Sequence, residues 1–201
     1  MTASKRPTPG ALLLAPGAGA DRDHHTLVAI EEQLAPFPVG RFDFPYRRAG
    51  KKAPDKAPVA VACVREEAAA LVADRRMRAN RVVPGGRSFG GRMCSMAVAE
   101  GMQAAGLVLL SYPLHPPGKP DRMRTEHFGA LDVPCLFVSG DRDAFGSPDE
   151  LETATKAIPG PVTHVWLKGG HDPRNQDGAI AGIIGDWLAD LGARGLSRTR
   201  A

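Results

Sequence analysis

The segment Gly86-Arg87-Ser88-Phe89-Gly90 sets a serine between two glycines, each two residues away. This is the G-x-S-x-G spacing of a nucleophile elbow, a sharp strand-to-helix turn that pushes the serine hydroxyl outward. Glycines suit the flanking positions because larger side chains there would strike the neighbouring strand and helix. The turn also leaves the N–H of the next residue, Phe89, at a helix N-terminus, where it can bind a developing oxyanion. Context supports the pattern: the apolar pair Val82–Val83 leads in, and a helix-forming stretch with Gly91 in its first turn leads out. The rival reading is a glycine-rich turn whose serine only caps a helix. It requires no partners further along the chain.

Partners are present. A serine hydroxyl is a poor nucleophile unless a base takes its proton, and the base must be oriented by an acid. Downstream, Ser139-Gly-Asp-Arg-Asp-Ala-Phe-Gly146 follows one short apolar run, and Lys168-Gly-Gly-His-Asp-Pro173 follows the next. They offer Asp141 or Asp143 as the acid and His171 as the base, in the order Ser, Asp, His. Each lies just past a separate strand candidate, at the sheet edge where ligand sites gather. Near the start, Pro16-Gly-Ala-Gly-Ala20 follows the first apolar run. A tight turn at Gly17 there can aim the Ala18 N–H at the same oxyanion. A phosphate-binding loop is the competing use of such glycines. It needs a third Gly at the right spacing, and Asp21, Arg22 and Asp23 follow instead. Arg87 and Arg92 flank the elbow and suit an anionic substrate, although surface salt bridging is the blander use of both. His24 and His25 sit near the first loop and could line the site. His115 and His127 read as exposed loop residues, and His164 as a satisfied histidine within a strand.

Such a constellation needs a parallel sheet beneath it. Short apolar runs at Ala11–Ala15, Phe42–Phe44, Val82–Val83, Leu107–Leu110, Leu136–Val138 and His164–Leu167 are bounded by Gly, Pro or Asp. They read as strands buried on both faces. Helical stretches separate them: Thr26–Leu34, Val59–Arg76, Phe89–Met102, Leu151–Ile158 and Ile180–Leu191. The last carries Ile180, Ile183, Ile184, Trp187, Leu188 and Leu191 on one stripe. Repeated alternation of strand and helix predicts an α/β fold, a doubly wound, mostly parallel sheet of about six strands with helices on both faces. The domain is expected over residues 11–191, with a disordered lead-in at 1–10 and a basic flexible tail at 192–201. The Pro- and charge-rich segments Arg47–Pro58 and Leu114–Glu126 read as loops. The second lies where a lid would insert, and it has no apolar stripe from which to build one.

With 201 residues, 43% hydrophobic and 24% charged, the chain has ordinary globular composition. The formal charge of +4 is scattered, and only two Trp and two Tyr are available for base stacking, which argues against a nucleic-acid partner. No run reaches the length of a membrane span, and Met1 to Gly10 lacks the apolar core of a signal peptide. Cys63, Cys94 and Cys135 each lie in an apolar segment. An odd number of such cysteines points to reduced thiols and a cytoplasmic location.

The chain resembles the α/β-hydrolase superfamily. Within it, the residues are similar to a small group near the dienelactone hydrolases. That group consists of bacterial proteins related to the testis-expressed hydrolase-like proteins and to a subunit of the non-specific lethal histone-acetyltransferase complex. The resemblance rests on Ala15-Pro-Gly-Ala-Gly-Ala20, Phe42-Asp-Phe-Pro-Tyr-Arg47, Gly85-Gly-Arg-Ser-Phe-Gly-Gly-Arg92, Pro134-Cys-Leu-Phe-Val-Ser-Gly-Asp-Arg-Asp143 and Gly169-Gly-His171. It spans Ala11 to Trp187 and implies a triad of Ser88, Asp143 and His171. Pro16 departs from the wider superfamily, where many relatives carry His. Dienelactone hydrolases proper use a Cys nucleophile, whereas Ser88 holds that place here and Cys94 lies along the following helix. The turn Gly140-Asp-Arg-Asp143 agrees with Asp143, since the chain can leave the strand before the carboxylate turns back. Asp141 is then left to accept backbone N–H groups.

The expected activity is hydrolysis of a small ester or related acyl bond by a monomer or homodimer, with no metal and no cofactor. The resemblance to a complex subunit keeps a second reading open, a catalytically silent scaffold that binds a protein partner. The complete set of three residues favours the enzyme.

Overall fold

Successive residues of a strand point to opposite faces, so a strand covered on both sides must be apolar at every position. β1 (Ala11–Ala15) meets that demand with five buried residues. In the computed structural model, which describes residues 7–197, Leu12 and Leu14 enter one core cluster and Leu13 and Ala15 the other. The same alternation sorts Val108 and Leu110 from Leu107 and Leu109 in β4 (Leu107–Leu110). It also sorts Leu136 and Val138 from Cys135 and Phe137 in β5 (Cys135–Gly140).

The remaining strands are β2 (Val39–Arg41), β3 (Val82–Arg87) and β6 (Val162–Leu167). All five pairings are parallel, in the order β2-β1-β3-β4-β5-β6. One face is covered by α1 (His25–Leu34) and α6 (Asp177–Ser197), through Leu27, Ile30, Ile180, Ile184 and Leu188. The other is covered by α3 (Ala57–Asp74), α4 (Phe89–Ala99) and α5 (Pro148–Thr155), through Val64, Met93, Cys94, Ala97 and Leu151. The result is the doubly wound sheet of six strands expected from the sequence, parallel in every pairing where mostly parallel was expected. The chain runs outward from β1 to β2 and then returns to β3, so strand order reverses between β1 and β3. Ser88 follows β3 directly. No described helix is long and apolar enough to cross a membrane.

Four expectations are corrected. The second strand is Val39–Arg41, paired Leu12 to Val39 and Leu14 to Arg41, and Phe42–Phe44 is not a strand. Phe42 and Phe44 leave the sheet edge and pack ring against ring, their centroids 5.2 Å apart. Their apolarity therefore marks a core plug. The segment read as loop from Arg47 begins inside a one-turn helix, α2 (Pro45–Arg48), with Pro45 at its first position. The last helix passes Leu191 to Ser197, so 192–197 is helix and not a flexible tail, while 198–201 lie outside the described residues. The lead-in is ordered from Pro7: Pro9 is buried, and the Gly10 N–H donates to the Arg81 carbonyl at 2.8 Å. Residues 1–6 lie outside the described residues.

Between β4 and β5 the only described helical turn is the 3₁₀ turn Phe128–Ala130. Tyr112, Leu114 and Phe128 in this connection are buried in the main core. They pack downward onto the sheet and do not arch over its edge, so no large cap stands above Ser88.

Candidate active site

Ser88 sits at φ 50° and ψ −116°, a backbone conformation that L-residues avoid. Its surroundings hold it there. The Ser88 N–H donates to the Leu110 carbonyl at 2.8 Å, and the Ser88 carbonyl accepts from the Arg92 N–H at 3.0 Å. The glycines are steric necessities. A Cβ on Gly86 would lie 2.2 Å from the Ala15 carbonyl oxygen, and one on Gly90 would lie 2.5 Å from the carbonyl oxygens of Ala15 and Pro16. β1 therefore presses against the elbow from one side. A Cβ on Gly85 would meet the Val108 carbonyl oxygen at 2.4 Å, so β4 presses from the other. As first residue of α4, Phe89 has an N–H with no partner inside the helix.

The Ser88 hydroxyl lies 2.9 Å from His171 Nε2, and His171 Nδ1 lies 2.8 Å from Asp143 Oδ2. The Asp143 side chain is 1% exposed and that of His171 is 23% exposed. The second Asp143 oxygen accepts from the Phe145 N–H at 2.9 Å. The Phe145 ring stacks on the imidazole with centroids 4.1 Å apart. Asp141 has a different use. Its Oδ1 accepts from the Gly169 N–H at 2.8 Å and ties the two loops together. A Cβ on Gly140 would strike the Gly169 and Gly170 carbonyl oxygens at 2.5 and 2.2 Å, so the Asp and His loops touch backbone to backbone.

This hydrogen-bonded serine–imidazole–carboxylate run stands at the carboxyl edge of a parallel sheet. The profile of the alpha/beta hydrolase domain family matches residues 8–180. The chain belongs to this family. Among solved structures, it is similar to a putative hydrolase of the alpha/beta superfamily from Xanthomonas campestris pv. campestris. The two share 20% identity, with 91% of this chain and 99% of that one covered at a TM-score of 0.67. It is similar to an alpha-beta serine hydrolase homologue from Coxiella burnetii at 15% identity, covering 90% and 86% with a TM-score of 0.71. It is also similar to the type II thioesterase BorB of the borrelidin biosynthetic cluster, at 20% identity, covering 90% and 94% with a TM-score of 0.65.

In this alpha/beta hydrolase domain, the loop after β1 lies beside the serine. A methyl group built on Gly17 would sit 3.8 Å from the Ser88 Cβ, and Gly17 itself begins a turn closed by the Ala20 N–H at 3.1 Å. The Ala18 carbonyl accepts from the Tyr46 hydroxyl at 2.9 Å. Tyr46, from α2, is 1% exposed, and burial raises its phenol above the ordinary range, so it stays a donor. Sequence reasoning missed this tie, which spans 28 residues. Its only trace was the tyrosine in the Phe42–Arg47 segment. Removing one such bond costs about 0.5–1.5 kcal/mol. Tyr46→Phe is therefore expected to lower kcat by about two- to tenfold, with KM nearly unchanged. An equal rise in KM would show that Tyr46 shapes substrate binding instead.

Arg87 is committed elsewhere than to substrate. Its Nη2 donates to the His171 carbonyl at 2.9 Å and pairs with Asp172 Oδ1 at 2.8 Å. Through Nη2 it holds the loop that carries His171 in place. Arg92 differs: its Nε is buried without a hydrogen-bond partner among the described residues.

A second serine–histidine pair, Ser95 Oγ to His127 Nε2 at 2.8 Å, has no carboxylate bonded to the ring among the described residues, and Ser95 is fully buried. Burial and then the Arg92 charge push His127 down to about 4, so the ring is neutral and serves packing. His115, expected at the surface, is buried because its loop folds under Phe145, with its N–H donating to the Phe145 carbonyl at 3.0 Å. His164 accepts or donates at 2.9 Å with Thr155 through Nε2, while its Nδ1 is buried without a partner. The three thiols are free and buried. Burial raises Cys63 to about 11, Cys135 to about 12 and Cys94 further still, so none is a thiolate at neutral pH.

Proposed function

We propose that the protein is a serine-dependent hydrolase that cleaves a small ester or related acyl bond through an acyl-enzyme. The observation that carries this reading is the unbroken run Ser88 Oγ, His171 Nε2, His171 Nδ1, Asp143 Oδ2, with bonds of 2.9 and 2.8 Å. Ser88 Oγ attacks the substrate carbonyl carbon while His171 Nε2 takes its proton. The carbonyl oxygen becomes an oxyanion facing the N–H groups of Phe89 and Ala18, in the loop that Gly17 begins. On collapse, the bond to the leaving oxygen breaks and His171 returns the proton to it, releasing the alcohol. Water then attacks the acyl-serine by the same proton path in reverse, freeing the acid and restoring the hydroxyl. Asp143 orients the ring and steadies the imidazolium. The strain at Ser88 supports the reading, since a merely capping serine has no need of φ 50°.

A silent scaffold remains the second reading, and fluorophosphonate labelling separates the two. The enzyme takes up one phosphonyl group on Ser88, whereas a silent scaffold takes up none.

With no large cap above the site, an acyl chain finds little apolar wall. A buried methylene contributes about 0.8 kcal/mol and an exposed one almost nothing. Across p-nitrophenyl acetate, butyrate, octanoate and palmitate, kcat/KM is expected to be highest for the two short esters. A steady rise towards palmitate would overturn the open site.

A further inference from the structure

Just outside the relay, three potential ligands converge from two loops. We propose that His24, His25 and Asp172 form a site for a zinc-class divalent cation at the rim of the active site. One donor atom from each lies within 4.8 Å of the others. Donors at about 2.0–2.1 Å from a tetrahedral zinc stand about 3.3 Å apart. His25 and Asp172 are exposed, so side-chain rotation can close that difference without moving the backbone. Two imidazoles and one carboxylate suit zinc, nickel or copper, whereas magnesium and calcium prefer oxygen.

The surroundings look like the outer shell of such a site. His25 Nδ1 lies 2.7 Å from Asp177 Oδ2, and the other Asp177 oxygen accepts from the Thr26 hydroxyl at 2.7 Å. A carboxylate behind one ring nitrogen fixes the tautomer and leaves the other, Nε2, as a more basic ligand. His24 Nδ1 accepts from the Thr26 N–H only at a long 3.3 Å, so coordination through Nε2 gives up little when the ring proton moves to Nδ1. Arg87 occupies Asp172 Oδ1, which leaves Oδ2 for the ion. Asp172 and Asp177 together outweigh Arg87, so the site is net negative before a cation enters.

The same Arg87 Nη2 that pairs with Asp172 also holds the His171 carbonyl. An ion on Oδ2 draws the carboxylate's charge away from Arg87, weakens its pairing with Oδ1 and so loosens the loop that carries the base. Bound zinc therefore slows turnover; this second part rests on the proposed function, whereas the site itself does not.

The test is calorimetry of the untagged chain with zinc chloride, together with the visible absorption of bound cobalt(II). The comparison is a His24→Asn/His25→Asn double variant, chosen because asparagine still caps a helix. The expected result is one ion per chain, weakened at least about tenfold in the double variant, with the cobalt bands lost. A wild-type chain that binds no zinc, or a double variant that binds as tightly, overturns the site. The Ser88→Ala chain should bind zinc as the wild type does, so a failed hydrolase assignment would leave this result standing. In p-nitrophenyl butyrate turnover, the zinc midpoint should match the calorimetric Kd and shift with it in the double variant. Binding without slowing would overturn the coupling to Arg87.

Discussion

Ser88→Ala is expected to fold, to melt within a few degrees of the wild type, and to lose about 10⁶-fold in kcat. Alanine is no worse than serine at φ 50°, and the backbone bonds that hold the turn, from the Ser88 N–H to Leu110 and from Arg92 to the Ser88 carbonyl, do not use the hydroxyl. What disappears is the oxygen placed 2.9 Å from His171 Nε2. The residual rate would come from the oxyanion donors acting on water. Fluorophosphonate labelling followed by intact-mass measurement checks it. A variant that still takes up the label would place the nucleophile elsewhere and sink the elbow assignment.

Asp143→Asn is expected to leave the fold intact and cost about 10⁴-fold in kcat. The argument lies in which atoms donate. In the wild type, Oδ1 accepts from the Phe145 N–H and Oδ2 accepts from His171 Nδ1. An asparagine must turn its oxygen to the Phe145 N–H, because its NH₂ would set donor against donor. The NH₂ then faces Nδ1 and forces that nitrogen to accept. The ring proton moves to Nε2, and His171 can no longer take the proton of Ser88. The negative charge that steadies the imidazolium is lost as well. Asp141→Asn is the control: the asparagine oxygen can still accept from the Gly169 N–H, as the Asp141 carboxylate does at 2.8 Å, so that variant should change neither melting temperature nor kcat appreciably. If Asp141→Asn were the more damaging to kcat, the acid would have been misassigned.

Much of this was legible in the sequence, and the reasons differ by element. β1 and β4 were legible to their last residues because strands buried on both faces must be apolar throughout. The elbow was legible because its glycines are forced by contacts under 3 Å with neighbouring backbone. β2 was misplaced because an edge strand has one free side and can be polar. Arg41 ends it, pairing with Glu31 at 2.6 Å and Asp23 at 2.8 Å, while the aromatic residues that drew attention plug the core beyond it. The grip of Arg87 on the His171 loop left no periodic or motif trace, and the tie from Tyr46 to Ala18 left only the tyrosine of the Phe42–Arg47 segment. They join segments distant in sequence through single side chains, and only folding brings those together. His115 was misread for a related reason: a Pro-rich connection looks solvated until its ends are seen to tuck beneath a neighbouring loop.

The placement of β6 at the sheet margin has a thermal consequence. Ser88 hangs from β3, which is bonded on both sides, whereas His171 hangs from β6, which is bonded to β5 alone. Outer strands open at lower free energy than inner ones. Heat should therefore part the base from the nucleophile while most of the sheet is still closed. Amide hydrogens of Val162–Leu167 should exchange faster than those of Val82–Arg87, and inactivation should run ahead of unfolding. The catalyst would then be the first part of the molecule to melt.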